Sequence, residues 1–198
     1  TLLPKSWSNL MKLQNKSFVT GDFIKLYEDA LGEKECDILI QFFEQSHAKE
    51  IVKNGGTPNF TQLNINKSNP QLIAQLSRIT QNVLSLYKRE LPEYTRWYPS
   101  RLFLEEFRVK KYHARTKDRF DPHVDVQDHA SARRYLAFLF YLNEDFSGGE
   151  TEFPHHSRKI TPRTGSVIVF PPTWQYPHAG LKVKKGVKYI MSTYCHYY

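Results

Sequence analysis

Cysteine is scarce in this chain of 198 residues: Cys36 and Cys195 are the only two, far apart. Two distant thiols make neither a disulfide framework nor a cysteine-ligated zinc site, and they suit a reducing compartment. Long apolar runs are missing too. Nothing approaches the roughly 18 apolar residues of a membrane-spanning helix, and no basic stretch followed by an apolar core marks a secretory signal. The expectation is a cytoplasmic protein with no membrane partner. Internal repeats and dividing linkers are also lacking, so residues 1–198 read as one domain long enough for a hydrophobic core. Acidic residues are outnumbered 20 to 28 by Lys and Arg, giving a formal charge of +8. No aromatic-basic motif of a nucleic-acid module accompanies this excess, so it reads as a solvated basic surface rather than a nucleic-acid footprint.

Aromatics, by contrast, are plentiful, with 12 Tyr and 13 Phe, a mix that favours sheet over helix. Residues 1–32 read as an N-terminal arm whose 22–27 stretch enters the fold as a short strand. Cys36, Leu39, Ile40 and Phe43 recur at helical spacing over 33–46. Residues 53–69, with Gly55-Gly56, Pro58 and several Asn, read as a polar loop. Asn69 as N-cap and Pro70 at the first helical position then open a second helix, with Leu72, Leu76, Ile79, Val83 and Leu86 on one face. From 101 the period changes to two. Strands are expected over 103–109, 134–143, 166–170 and 187–196, with a polar loop at 113–119. The class is therefore α+β: a helical support region, 1–100, and a β-rich core, 101–198, that carries the site.

Within that core, His123-Val124-Asp125 places two metal donors two residues apart, about 6.6 Å along a strand and on one side of it. His178 adds a third from another strand. Two imidazoles and one carboxylate are the ligand set that suits non-haem Fe(II) and leaves coordination positions open. Alone, a His-x-Asp pair is a weak signal in a chain with eight His. Lys188, ten residues after His178, is the cation that a dicarboxylate co-substrate needs. By composition it is a solvent-facing Lys in a Lys-rich segment; flanked by Tyr189 and Ile190 on an apolar strand, it requires an anionic partner. Tyr112 and Tyr141 can offer hydroxyl donors to the same anion. No nucleophile or acid–base dyad is evident.

The ordered blocks 134–143, Gly148-Gly149-Glu150-Thr151-Glu152-Phe153-Pro154, 165–170, His178-Ala179-Gly180 and Gly186-Val187-Lys188-Tyr189 resemble the prolyl 4-hydroxylase-type 2-oxoglutarate/Fe(II) dioxygenases. The resemblance runs over residues 103–194, about half of the chain. It implies a double-stranded β-helix, or jelly roll, with iron inside. His123, Asp125 and His178 are then the iron ligands, and Lys188, with Tyr112 and Tyr141, receives the far carboxylate of 2-oxoglutarate. Arg134 and Tyr194 fall at substrate-contacting positions. The implied cofactors are Fe(II), 2-oxoglutarate and O2, with ascorbate as a further expectation. The implied reaction hydroxylates a C–H bond and releases succinate and CO2.

Ala137, where such enzymes often carry Thr, Phe120 in place of Tyr, and Tyr194 in place of Trp all depart from the pattern in the substrate half. The leading expectation is a peptidyl-proline or other protein hydroxylase, with residues 53–69 and 113–120 long enough for a lid over an extended peptide. Hydroxylation of a free amino acid or small molecule, oxidative demethylation of nucleic acid, and a silent metal-binding jelly-roll module are the rivals.

Overall fold

The computed structural model describes residues 23–53, 57–67 and 69–198; the expected N-terminal arm up to residue 22 and the Gly55-Gly56 pair of the expected polar loop lie outside them. The chain enters through β1 (Lys25–Tyr27) and α1 (Glu33–Gln45), whose Cys36, Leu39 and Phe43 form the buried face anticipated from their spacing. A hairpin of β2 (Glu50–Lys53) and β3 (Asn59–Asn64) follows. Then comes α2 (Pro70–Glu90), capped by the Asn69 side chain, which accepts from Gln71 N and Leu72 N. A cap of this kind contributes about 1 kcal/mol.

The rest is strand: β4 (Leu102–Leu104), β5 (Arg108–His113), β6 (Phe120–His123), β7 (Arg134–Tyr141), β8 (Ser147–Gly148), β9 (Thr151–Phe153), β10 (Arg158–Ile160), β11 (Val167–Phe170), β12 (His178–Gly180), β13 (Val183–Lys185) and β14 (Val187–Tyr197). They form an antiparallel sheet in the order β1-β11-β7-β14-β5-β3-β2, with β4 beside β5 along β14, and a smaller sheet in the order β10-β9-β12-β6. β8 and β13 make a two-stranded ribbon.

Strand alternation explains how the two sheets and the helices meet. Val109, Phe138, Phe140, Val167, Val169 and Met191 point to one side of the large sheet and pack with Leu39, Phe43, Leu76, Val83 and Tyr87 of the helices. Their neighbours Tyr112, Ala137, Tyr141, Ile168, Phe170, Ile190 and Tyr194 point to the other side and meet Phe153 and Ile160 of the small sheet. Burial on both faces is why β7 and β14 read as nearly continuous apolar runs. The result is a jelly roll buttressed on one face by two helices.

Three expectations need correction. Within 53–69, Asn59–Asn64 are not part of a lid loop: β3 pairs with β5 and places Phe60 and Leu63 in the interior. Its apolar residues are spaced three apart among Asn, Thr and Gln, which hides the strand. Among the described residues of the first hundred, three strands accompany the two helices. The expected strand 103–109 is two pieces, β4 and β5, both paired to β14. Between them Asn66 Oδ1 accepts from Phe107 N (2.6 Å), and the Glu105 side chain turns toward Arg134.

Candidate metal and co-substrate site

β6 and β12 are antiparallel neighbours, and His123 and His178 stand opposite each other in their register. Three residues of β12, 178–180, span four of β6, 120–123, since Gly180 pairs with Phe120. The extra residue is a bulge at Asp121-Pro122, a place where the missing Pro N–H costs the ladder nothing. Each imidazole gives its Nδ1–H to the carbonyl two residues before it: His123 to Asp121 at 2.8 Å and His178 to Tyr176 at 3.2 Å. A carbonyl can only accept, so each Nδ1 carries a hydrogen, and Nε2 is the nitrogen turned inward that a metal would take in the neutral ring.

Asp125 completes the cluster. Its Oδ1 lies 3.5 Å from His123 Nε2 and its Oδ2 3.4 Å from His178 Nε2. One donor atom from each residue falls within 4.8 Å of the others. The loop that carries Asp125 is pinned from outside: Asp125 N and Val126 N both donate to the Pro172 carbonyl, at 3.0 and 3.2 Å. Burial opposes ionisation of Asp125, yet the His123 bond and the charges around it hold the carboxyl well below the usual range. Burial pushes the His178 imidazole down to about 4, with Asp125 pulling the other way. An ionised carboxylate and a neutral imidazole are the protonation states a metal requires. The donor set fits Fe(II), and the three residues could hold it.

A cavity of about 500 Å³, open mouth included, connects this cluster to β14. Lys188, 2% exposed, sits at its wall and donates to the Gly149 carbonyl at 2.6 Å. The approach is close because Gly149 has φ +71° and no side chain; a Cβ there would lie 3.2 Å from the Lys188 chain. Burial pushes the Lys188 amine down to about 7, against the opposing charge of Glu150. Its Nζ lies over the rings of Tyr112 and Tyr141, at 5.5 and 5.6 Å.

Most of the residues singled out in the sequence meet here. His123, Asp125, His178, Lys188, Tyr112 and Tyr194 all line the cavity; Tyr141 and Arg134 do not. Tyr141 is fully buried and donates to Thr151 Oγ1 (2.7 Å), so Thr151 presents the hydroxyl to the cavity in its place. Arg134, expected to touch substrate, is committed elsewhere. Its guanidinium grips Glu105 (2.8 and 3.1 Å), donates to the Asp125 carbonyl and covers the Tyr194 ring at 4.1 Å. Three polar lining residues escaped sequence reasoning, Thr151, Lys110 and Ser192. Lys110 carried a signal: it stands two residues before Tyr112 on one strand, so both face the same way.

Comparison with known proteins agrees with this geometry. Residues 107–196 match the family model of the 2OG-Fe(II) oxygenase superfamily. A relative from Acanthamoeba polyphaga mimivirus, named as a candidate prolyl 4-hydroxylase, is 26% identical over 197 residues, covering 93% of this chain and 76% of its own length. Among solved structures, the collagen prolyl hydroxylase of Paramecium bursaria Chlorella virus-1, determined with 2-oxoglutarate, superposes with a TM-score of 0.70 at 23% identity, over 90% of this chain and 98% of that one. A Trichoplax adhaerens prolyl hydroxylase in complex with a hypoxia-inducible-factor peptide fragment gives 0.70 at 15% identity, over 89% and 84%. A Pseudomonas putida prolyl-4-hydroxylase gives 0.70 at 14%, over 88% and 92%. These structural likenesses bear on the fold, a jelly roll; the family model and the donor set bear on the chemistry. Residues 107–196 thus carry the match to the 2OG-Fe(II) oxygenase superfamily, and with the His123, Asp125 and His178 donor set they support a 2-oxoglutarate-dependent dioxygenase.

Proposed function

We propose that this dioxygenase hydroxylates a C–H bond of a prolyl residue in a peptide or protein. In balance, the substrate C–H, O2 and 2-oxoglutarate become C–OH, succinate and CO2. His123, Asp125 and His178 hold Fe(II), and Lys188 receives the far carboxylate of 2-oxoglutarate. The single observation that carries this reading is Lys188: a buried ammonium on the wall of the cavity that also holds the triad, which among the described residues has a main-chain carbonyl as its hydrogen-bond partner and no ion pair. A buried cation of that kind costs stability unless an anion joins it. The prolyl substrate draws support from the names of the mimivirus relative and of the structural neighbours, one of which was determined with a peptide.

Bound iron supplies oxygen activation coupled to decarboxylation of 2-oxoglutarate. The chain's residues bind, orient and keep water out. The Phe120 ring stacks on His123 (3.4 Å between centroids), and Phe170 and Phe153 flank His178 at 4.7 and 5.8 Å. These rings shield the ligands and fix their planes. Thr151, backed by Tyr141, offers a hydroxyl beside Lys188 to the co-substrate carboxylate. Arg134 holds the Asp125 main chain in place. Tyr194, on the β14 face that also carries Lys188, closes the substrate end of the cavity.

The test supplies the chain with Fe(II), ascorbate and 2-oxoglutarate and follows succinate, with proline-containing peptides examined by mass spectrometry. Peptide-stimulated succinate and a gain of one oxygen on the peptide are expected. Stimulation confined to free amino acids or nucleic acid would replace the substrate class. Absence of succinate in every pool, with no 2-oxoglutarate binding, would overturn the reading.

A further inference from the structure

β5 carries three cations, and they are treated differently. Arg108 meets Glu106 at 2.6 Å and Lys111 meets Glu44 at 2.7 Å. Lys110 faces the cavity beside the triad and, among the described residues, has neither an ion pair nor a hydrogen-bond acceptor. Its Nζ rests 5.2 Å from the centre of the Phe60 ring. Asp125 is the nearby acid, but its two oxygens are directed to His123 and His178. Arg134, the other cation of this region, is neutralised by Glu105.

The charges of the site explain why Lys110 stands out. With ligating imidazoles neutral and Asp125 ionised, Fe(II) leaves the triad at a net single positive charge. The two charges of 2-oxoglutarate are then balanced by that charge and by Lys188. Lys110 is left over. Its place in the sheet separates it from the co-substrate end: Lys188 pairs with Tyr112, whereas Lys110 pairs with Ile190, one inward-facing position further along. That is about 7 Å from the Lys188 rung, toward Ser192 and Tyr194, which line the same wall. Burial pushes the Lys110 amine down to about 8, with Asp125 opposing; an arriving anion would restore its charge.

We propose that Lys110 is a specificity-determining residue that pairs with a carboxylate on the substrate, so that the enzyme acts on an acidic one. Resting on the dioxygenase reading above, this deepens it by naming the charge of the substrate beside the reacting carbon. The carboxylate has two sources: an Asp or Glu side chain next to the hydroxylated residue, or the α-carboxylate of a free amino acid. The net charge of +8 would draw either kind toward the protein.

The test reads binding as well as turnover. The full chain is loaded with Mn(II), which does not support the oxidation, and 2-oxoglutarate. It is then titrated with end-blocked proline peptides bearing Glu or Gln beside the proline, and with free proline against prolinamide. The wild type should prefer the carboxylate member of one pair by about tenfold or more; which pair responds identifies the source. Lys110→Ala should erase that preference, Lys110→Arg should keep part of it, and Lys110→Glu should reverse it toward a Lys-bearing peptide. Equal preference in wild type and Lys110→Ala, no charge preference in either pair, or an effect confined to 2-oxoglutarate affinity would each overturn the proposal. The same pairs assayed with Fe(II) separate the two readings, since charge-selective binding without hydroxylation removes proline as the substrate and leaves the role of Lys110 standing.

Discussion

Arg134, the first residue of β7, donates to the main-chain carbonyl of Asp125 at 2.9 Å. Its guanidinium also donates to both oxygens of Glu105, in a fork that lysine cannot reproduce, and covers the Tyr194 ring. Arg134→Lys should therefore keep the charge and loosen the Asp125 loop. Retained iron after dialysis should fall several-fold, and the denaturation midpoint should drop by the equivalent of about 1–2 kcal/mol. Iron retention equal to wild type would show that the Pro172 carbonyl alone fixes the loop.

His178→Ala and Asp125→Ala should each abolish stoichiometric iron binding, measured on metal-loaded protein, while circular dichroism stays that of the wild type. Either variant with unchanged iron content and succinate release would remove that residue from the ligand set.

Lys188→Met should raise the 2-oxoglutarate requirement by about tenfold or more and disturb iron content far less. In the absence of co-substrate it should also be more stable, because a buried cation without an anion is exchanged for an apolar chain of similar length. A melting temperature that falls, or iron and 2-oxoglutarate lost together, would contradict this role.

The pH dependence follows from the same amine. In the folded, ligand-free protein Lys188 lies at about 7, below its ordinary 10.5, and a bound carboxylate raises it. Co-substrate binding then takes up a proton, and affinity should weaken as pH rises above 7, by up to about tenfold per unit. The stability contribution has the opposite slope. Between 7 and 10.5 the unfolded chain binds more protons at this site than the folded one, so ligand-free stability gains from this group as pH rises across that window. Titrations with Mn(II)-loaded protein between pH 6.5 and 9 check the first effect, and flat affinity would refute it.

Thr151→Val should weaken 2-oxoglutarate binding more than Tyr141→Phe does, because Thr151 lines the cavity and Tyr141 only supports it. The reverse order, measured by the same titration, would return Tyr141 to direct contact.

The sequence was most legible where period and punctuation coincide. Asn69-Pro70 announced α2, and the apolar run from Arg134 announced β7. The grouping of His123, Asp125 and His178 beside a buried Lys188 was legible, because an isolated cation on an apolar strand demands an explanation. β3 was not, since only Phe60 and Leu63 face inward among polar residues on a strand near the sheet edge. The true engagement of Arg134 was hidden because Glu105 lies 29 residues away in sequence. Lys110 was hidden among the cations of 108–111, where composition suggests a solvated surface; only the partners of its neighbours set it apart.

The bulge between Phe120 and His123 makes chain length, rather than residue identity, the critical quantity in β6. Pro122 has no strand hydrogen to lose and is exposed, so Pro122→Ala should be accepted. Deleting Pro122 would straighten the strand, and a one-residue slip sends every following side chain to the opposite face. His123 would then leave the site although no ligand had been changed. Substitution and deletion at 122 should therefore differ sharply, the first keeping His123 opposite His178 and the second not.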